Sequence, residues 1–115
     1  MTENLTTTVS SETKTVEINR SNPTVIIGER INPTGRKALM AELKEGKFDI
    51  VKRDALAQLE AGAAIIDVNA GVPGEDEEPI LRDMMGAIME VTDAPLCIDT
   101  ADTTALETAL SIYKG

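Results

Sequence analysis

With 115 residues, 42% of them apolar, the chain is long enough for one compact domain, and with Phe48 and Tyr113 as its only aromatics the core must be aliphatic, with no ring platform for stacking bases or sugars. Acidic residues outnumber basic ones 20 to 11, for a net charge of −9, which argues against nucleic acid and against anionic membranes, since phosphate binding needs clustered Lys and Arg. The absence of histidine and the single cysteine, Cys97, exclude an internal disulfide, a Ser-His nucleophile and most zinc sites, while the lack of a long apolar run or a leader pattern predicts a cytoplasmic protein.

Residues 1–23 are rich in Thr, Ser, Asn and Glu and read as a flexible N-terminal tail with one short extended piece at 15–18. The domain proper is expected over 24–115. Thr24-Val25-Ile26-Ile27-Gly28-Glu29 is a continuous apolar run ending in a charge, the pattern of a parallel strand buried on both faces. Ile31-Asn32-Pro33-Thr34-Gly35 carries loop signals. A short helix is expected over 36–45, with Leu39, Met40 and Leu43 inward and Gly46 as its stop. Asp49 is placed to cap a second helix over 50–61, with Val51, Ala55, Leu56 and Leu59 inward and Gly62 just past its end. Residues 63–69 form the second buried strand and 70–74 a loop. Glu75 to Glu78 and Pro79 open a third helix, acids at the positive end of its dipole, with an inner stripe of Ile80, Leu81, Met84, Met85, Ile88 and Met89 and an end near Thr92. Residues 96–99 are the third strand. Thr104 and Glu107 have capping-box spacing for a last helix, whose apolar side is Ala105, Leu106, Ala109, Leu110 and Tyr113.

Strands alternating with helices predict a parallel α/β sheet. Three such units are too few to close a barrel, which takes eight units and roughly 250 residues. The expectation is therefore part of a larger barrel, with a complete small doubly wound domain as the alternative.

In parallel α/β folds ligands bind beyond the carboxyl ends of the strands. Each predicted strand ends in an acid or amide: Glu29 followed by Asn32, Asp67 with Asn69, then Asp99. A single strand-end acid is ordinarily a solvated loop residue or a helix cap, and Asn32 before Pro33 also suits a turn, as Asp67 and Asn69 suit loop-tying bonds to backbone. Their repetition points to a rim of carboxylates and amides around one mouth. Oxygen ligands of this kind suit magnesium or calcium. They equally suit an organic ring with a ring N–H beside an exocyclic amino group, which one carboxylate can accept as a bidentate pair. The residue types alone do not choose between the two. Arg30 and Arg36 are expected to pair with surface carboxylates, Cys97 to be a small buried hydrophobe, and Met84, Met85 and Met89 to fill the core.

The run Gly28-Glu29-Arg30-Ile31-Asn32-Pro33-Thr34-Gly35-Arg36-Lys37 closely resembles the first strand and loop of the pterin-binding methyltransferases, a family that includes the methyltetrahydrofolate:corrinoid protein methyltransferases and the folate-binding region of cobalamin-dependent methionine synthase. Asp67-Val68-Asn69 resembles the second strand signature and Leu96-Cys97-Ile98-Asp99 the third, in the order the family's barrel imposes. The resemblance implies a (β/α)8 TIM barrel of the dihydropteroate synthase-like type, of which this chain holds the first three βα units. It implies a methyltransferase that moves a methyl group between N5 of tetrahydrofolate and a corrinoid (cobalamin) carried by a partner protein, with methyltetrahydrofolate or tetrahydrofolate as substrate. It places Asp99 on the aspartate that holds the pterin, Glu29 and Asn32 on first-strand positions lining the folate pocket, and Asp67 and Asn69 at the second strand end. The residues that do the chemistry are expected beyond 115, so that these residues alone are inactive and the full-length protein is a homodimer; no metal is expected. The alternatives are a dihydropteroate synthase-like enzyme, whose loop motifs match less well, and a non-catalytic fragment that binds pterin or a partner.

Overall fold

The computed structural model describes residues 5–115. Residues 1–4, the start of the expected tail, lie outside them. The chain is mixed α/β: a hairpin of β1 (Thr7–Ser10) and β2 (Thr15–Ile18) is followed by β3 (Ile27–Ile31), α1 (Lys37–Lys44), α2 (Asp49–Glu60), β4 (Ile65–Val68), α3 (Glu77–Val91), β5 (Leu96–Ile98) and α4 (Thr103–Ile112). The three later strands form one parallel sheet in the order β3-β4-β5, so each crossover is helical, as parallel pairing requires.

The sheet's two faces differ because its side chains alternate. Gly28, Ile66 and Leu96 stand in register, as do Ile31, Val68 and Ile98. These rows pack against the helices: Ile31, Ile66 and Val68 are fully buried with Leu39, Val51, Leu81, Met84, Met85 and Ile88. The opposite rows, Ile27 with Ile65 and Asp67 with Cys97, occupy the face away from this core. There Ile27 is 48% exposed, and Ile26 is exposed beside it. The first strand is thus buried on its helix side only, not on both faces, because β3 is an edge strand and, among the described residues, no second layer covers its other face. Leu56, Met89 and Leu110 are exposed as well, although their spacing predicts an inward position.

Helix ends follow local chemistry. Gly46 and Gly62 have φ of 72° and 111°, conformations that reverse the chain after α1 and α2 at no Cβ cost. Asp76 caps α3 by accepting the Glu78 N–H, with Glu77 and Glu78 in the first turn where the dipole favours acids. Two expected caps are corrected. Asp49 lies inside the first turn of α2, whose N-cap is Phe48, and the Ile50 N–H is accepted instead by Glu42 of α1 at 3.0 Å. The Thr104–Glu107 box does not form: Asp102 caps α4, its Oδ1 accepting the N–H groups of Thr104 and Ala105 at 2.9 and 3.1 Å. Asp102 has the extended φ and ψ that aim a short side chain at these donors.

The extended piece expected at Thr15–Ile18 is present, and it is paired. Antiparallel register with Thr7–Ser10 makes residues 7–18 a hairpin, where the composition predicts a flexible tail with one short extended piece. Its turn docks on the α3–β5 connection. Asp93 accepts the Ser11 hydroxyl at 3.0 Å, the Thr13 N–H at 2.9 Å and the Thr13 hydroxyl. Tyr113 completes the tie: its hydroxyl accepts the Leu96 N–H at 3.0 Å and donates to the Ser10 carbonyl at 3.1 Å. Partners about eighty and a hundred residues away hold the segment, and composition says nothing of them.

No helix is long and apolar enough to cross a membrane among the described residues.

Candidate functional site

The carboxyl ends of β3, β4 and β5 open on one cleft of about 620 Å³, lined by Glu29, Arg30, Asn32, Thr34, Arg36, Gln58, Asp67 and Asp99. Four of the five residues singled out in the sequence, Glu29, Asn32, Asp67 and Asp99, lie on this lining. The fifth, Asn69, is one bond removed: its Nδ2 donates to Asp99 Oδ2 at 3.4 Å, while its Oδ1 accepts the Gly71 N–H at 2.9 Å. Asn69 thus ties its own loop and steadies Asp99.

The strands bring these groups together by register. Asp67 stands opposite Cys97, and the Asp99 N–H continues the ladder to the Val68 carbonyl at 3.0 Å. Asp99 therefore begins where β5 ends, on the edge of the cleft. Asn32 starts the loop after β3, and its Oδ1 accepts the Thr34 N–H at 3.0 Å. The turn-forming role and the cleft-lining role hold together: one amide oxygen closes the turn, and the residue still lines the cleft.

The electrostatics centre on Asp67. Partial burial pushes its carboxyl above the usual carboxylate range, and the neighbouring charges of Asp99 and Glu29 push the same way. A hydrogen bond from the Cys97 thiol works in the opposite direction. The cleft thus gathers three carboxylates, Glu29, Asp67 and Asp99, of which Asp67 takes up a proton more readily than an isolated aspartate. Cys97 is exposed on the open face rather than buried, which corrects the expectation. Its thiol is nevertheless pushed up, first by desolvation and then by Asp67, and stays protonated at neutral pH, so it is poorly suited to nucleophilic work.

The wall beside β3 comes from α2 and was not visible in the sequence. Asp54 is 6% exposed; its Oδ2 accepts Arg36 Nη1 at 2.8 Å and its Oδ1 accepts Arg53 Nε and Nη2 at 3.1 and 3.0 Å. Arg36 is therefore paired, but with a buried acid instead of a surface one. Gln58, one turn further along α2, donates from Nε2 to the Asp54 carbonyl at 3.1 Å and accepts the Arg30 N–H on Oε1 at 2.8 Å. Mid-helix Asp and Gln ordinarily face solvent, and only the packing of α2 on β3 turns these two inward. On the far side, Glu77 of α3 is hydrogen-bonded to the Thr100 hydroxyl, fixing the loop after β5.

The lining supplies carboxylate and amide oxygens, amide N–H groups and one guanidinium-rich side. Among the described residues no group of three or more Cys, Asp or Glu is arranged to hold a metal ion. The arrangement suits a flat polar heterocycle with several N–H donors along one edge.

No family model matches the chain. Over 93 residues, 78% of its length, the chain is 40% identical to a methylcorrinoid:tetrahydrofolate methyltransferase of Eubacterium limosum. The matched stretch is 33% of that enzyme, so the chain spans about a third of the length of the curated relative to which it is similar.

Proposed function

We propose that this chain is the first three βα units of a (β/α)8 barrel that binds a reduced pterin and serves methyl transfer between N5 of tetrahydrofolate and a corrinoid protein. The observation that carries the reading is the convergence of Glu29, Asn32, Asp67 and Asp99 on one cleft at the strand ends. Similarity to a methyltransferase named for methylcorrinoid and tetrahydrofolate supports tetrahydrofolate as the substrate class and a corrinoid protein as the partner.

A pterin presents its ring N–H and 2-amino group side by side. Asp99, held by Asn69, accepts both as a bidentate pair, the geometry in which charge-assisted bonds are strongest. Asp67, on the same lining, accepts a further N–H of the ring. Glu29 and Asn32 close the side of the cleft next to β3. These groups bind and orient the ring on stiff strand ends, so that N5 is presented to the incoming partner at fixed distance. The corrinoid, carried by the partner, supplies the cobalt centre that accepts or gives the methyl group.

The test is methyl transfer in the full-length protein. Mixing it with methyltetrahydrofolate and a corrinoid protein in the cob(I)alamin state is expected to convert the cob(I) spectrum to that of methylcobalamin in a protein-dependent manner. Folate binding with no spectral conversion in either direction would reduce the reading to a pterin-binding module, and absence of both would remove it.

A further inference from the structure

The parallel ladder between β3 and β4 is interrupted beside the cleft. Ile27 pairs with Ile65 and Gly28 with Ile66, and pairing resumes only at Ile31 with Val68. Two β3 residues, Glu29 and Arg30, therefore stand against the single Asp67 of β4, which is a β-bulge. Without the bulge, strict alternation would turn Ile31 to the open face, since Gly28 faces the helices. With it, Ile31 returns to the core, where it is fully buried, while Glu29 and Arg30 both line the cleft.

The bulge leaves the Arg30 N–H and carbonyl outside the ladder; the carbonyl accepts the Asn32 N–H at 2.9 Å, and side chains bond both groups. Gln58 Oε1 accepts its N–H at 2.8 Å, and Arg36 Nη1 donates to its carbonyl at 2.8 Å. Gln58 is itself held by the Asp54 carbonyl, and Arg36 by the Asp54 carboxylate. Space for this arrangement comes from Gly28: a Cβ there would overlap the Gln58 amide. A glycine in a strand interior normally marks such a close approach.

We infer that Gln58 is a positioning residue for the cleft: by holding the Arg30 N–H it fixes the bulge and so determines where Glu29 projects toward a bound ring. The inference rests on the pterin reading of the cleft and adds to it a residue on a helix that none of the strand-end motifs includes. Gln58 acts through Glu29, so its effect is read as a coupling.

The experiment is a double-mutant cycle in the full chain, with tetrahydrofolate as the titrant. Gln58→Met keeps the length of the side chain and removes both hydrogen bonds. It is expected to weaken tetrahydrofolate binding roughly tenfold in the wild-type background, by less than about twofold in a Glu29→Gln background, and undiminished in an Asp99→Asn background. Equal losses in the Glu29→Gln and wild-type backgrounds, or no loss in either, overturn the inference while leaving the pterin reading intact. A wild-type chain that binds no tetrahydrofolate overturns both. Should Gln58→Met fail to fold, Gly28→Ala pushes the Gln58 amide out of its place by the added methyl without changing its chemistry. It is expected to show the same coupling to Glu29 and to raise hydrogen exchange of the Arg30 amide; Arg30 exchange unchanged from wild type counts against the role assigned to Gln58.

Discussion

Asn69 and Asp99 are joined across neighbouring strand ends, the amide of one donating to the carboxylate of the other at 3.4 Å while its oxygen holds the Gly71 N–H. This long bond is weak on its own, but it biases the rotamer of the carboxylate proposed to grip the ring edge. Asn69→Ala removes that bias without removing a charge. With a net hydrogen bond worth about 1 kcal/mol, tetrahydrofolate affinity is expected to fall roughly fivefold. Calorimetric titration measures it directly.

Asp67 gives a prediction in pH. Its carboxyl is raised in the folded protein by burial and by the charges of Asp99 and Glu29. The folded state therefore binds this proton more tightly than the unfolded chain. The stability linked to it is fully present below the ordinary aspartate value of about 3.9 and is lost as pH rises through the folded value. At neutral pH the wild type carries the resulting cost. Asp67→Asn removes it and is expected to raise the melting temperature at pH 7 by on the order of a degree or two, with the gain vanishing toward pH 3. Ligand affinity falls in the same variant. A melting temperature that drops equally at both pH values would show that Asp67 is not strained by its neighbours.

Asp54 is the anchor of the wall formed by α2. Its carboxylate is almost fully buried and neutralised by Arg36 and Arg53, of which Arg53 is largely exposed. Breaking a fully buried pair costs about 3–5 kcal/mol, and solvent at Arg53 reduces that here. Asp54→Ala is expected to destabilise the protein by roughly 2 kcal/mol in urea unfolding. It also releases Arg36 from the Arg30 carbonyl and loosens the β3 side of the cleft.

The N-terminal hairpin hangs on Asp93. The Thr13 hydroxyl, the Ser11 hydroxyl and the Thr13 N–H all hold its carboxyl below the usual range. A lowered value in the folded state means that the anchorage is present above the unfolded value of about 3.9 and is lost as pH falls through the folded one. Limited proteolysis is expected to cut within 11–14 severalfold faster in Asp93→Ala than in wild type at neutral pH. The wild type is expected to approach the variant's rate as the solution is acidified, with an acid-active protease as the probe. The α2 and α3 helices serve as the internal control.

The strands and the cleft were legible in the sequence because a parallel strand writes itself as an apolar run closed by a polar group, and three such runs place their ends together by topology. Glu29, Asp67 and Asp99 could be named on that ground. Other features depend on partners that no local pattern shows. Asp54 and Gln58 look like solvent-facing residues of α2 until the helix is laid against β3. The bulge is invisible because Glu29 and Arg30 fit a regular strand equally well. Asp102 and Thr104 are both good caps, and only the backbone angles at Asp102 decide between them. The hairpin is made of short polar strands whose anchors, Asp93 and Tyr113, lie far along the chain. The exposure of Cys97 is equally hidden, because a short apolar strand does not say which of its faces remains uncovered.

The most direct test of the account is a titration of methyltetrahydrofolate into wild type and Asp99→Ala, followed calorimetrically and by amide chemical shifts. The account predicts saturable binding at one site, shifts concentrated at Glu29, Asn32, Asp67 and Asp99, and a loss of roughly a hundredfold in the variant, as expected for removing a charged, two-bond contact. Binding that is indifferent to Asp99, or shifts that map to the helices instead of the strand ends, would contradict it.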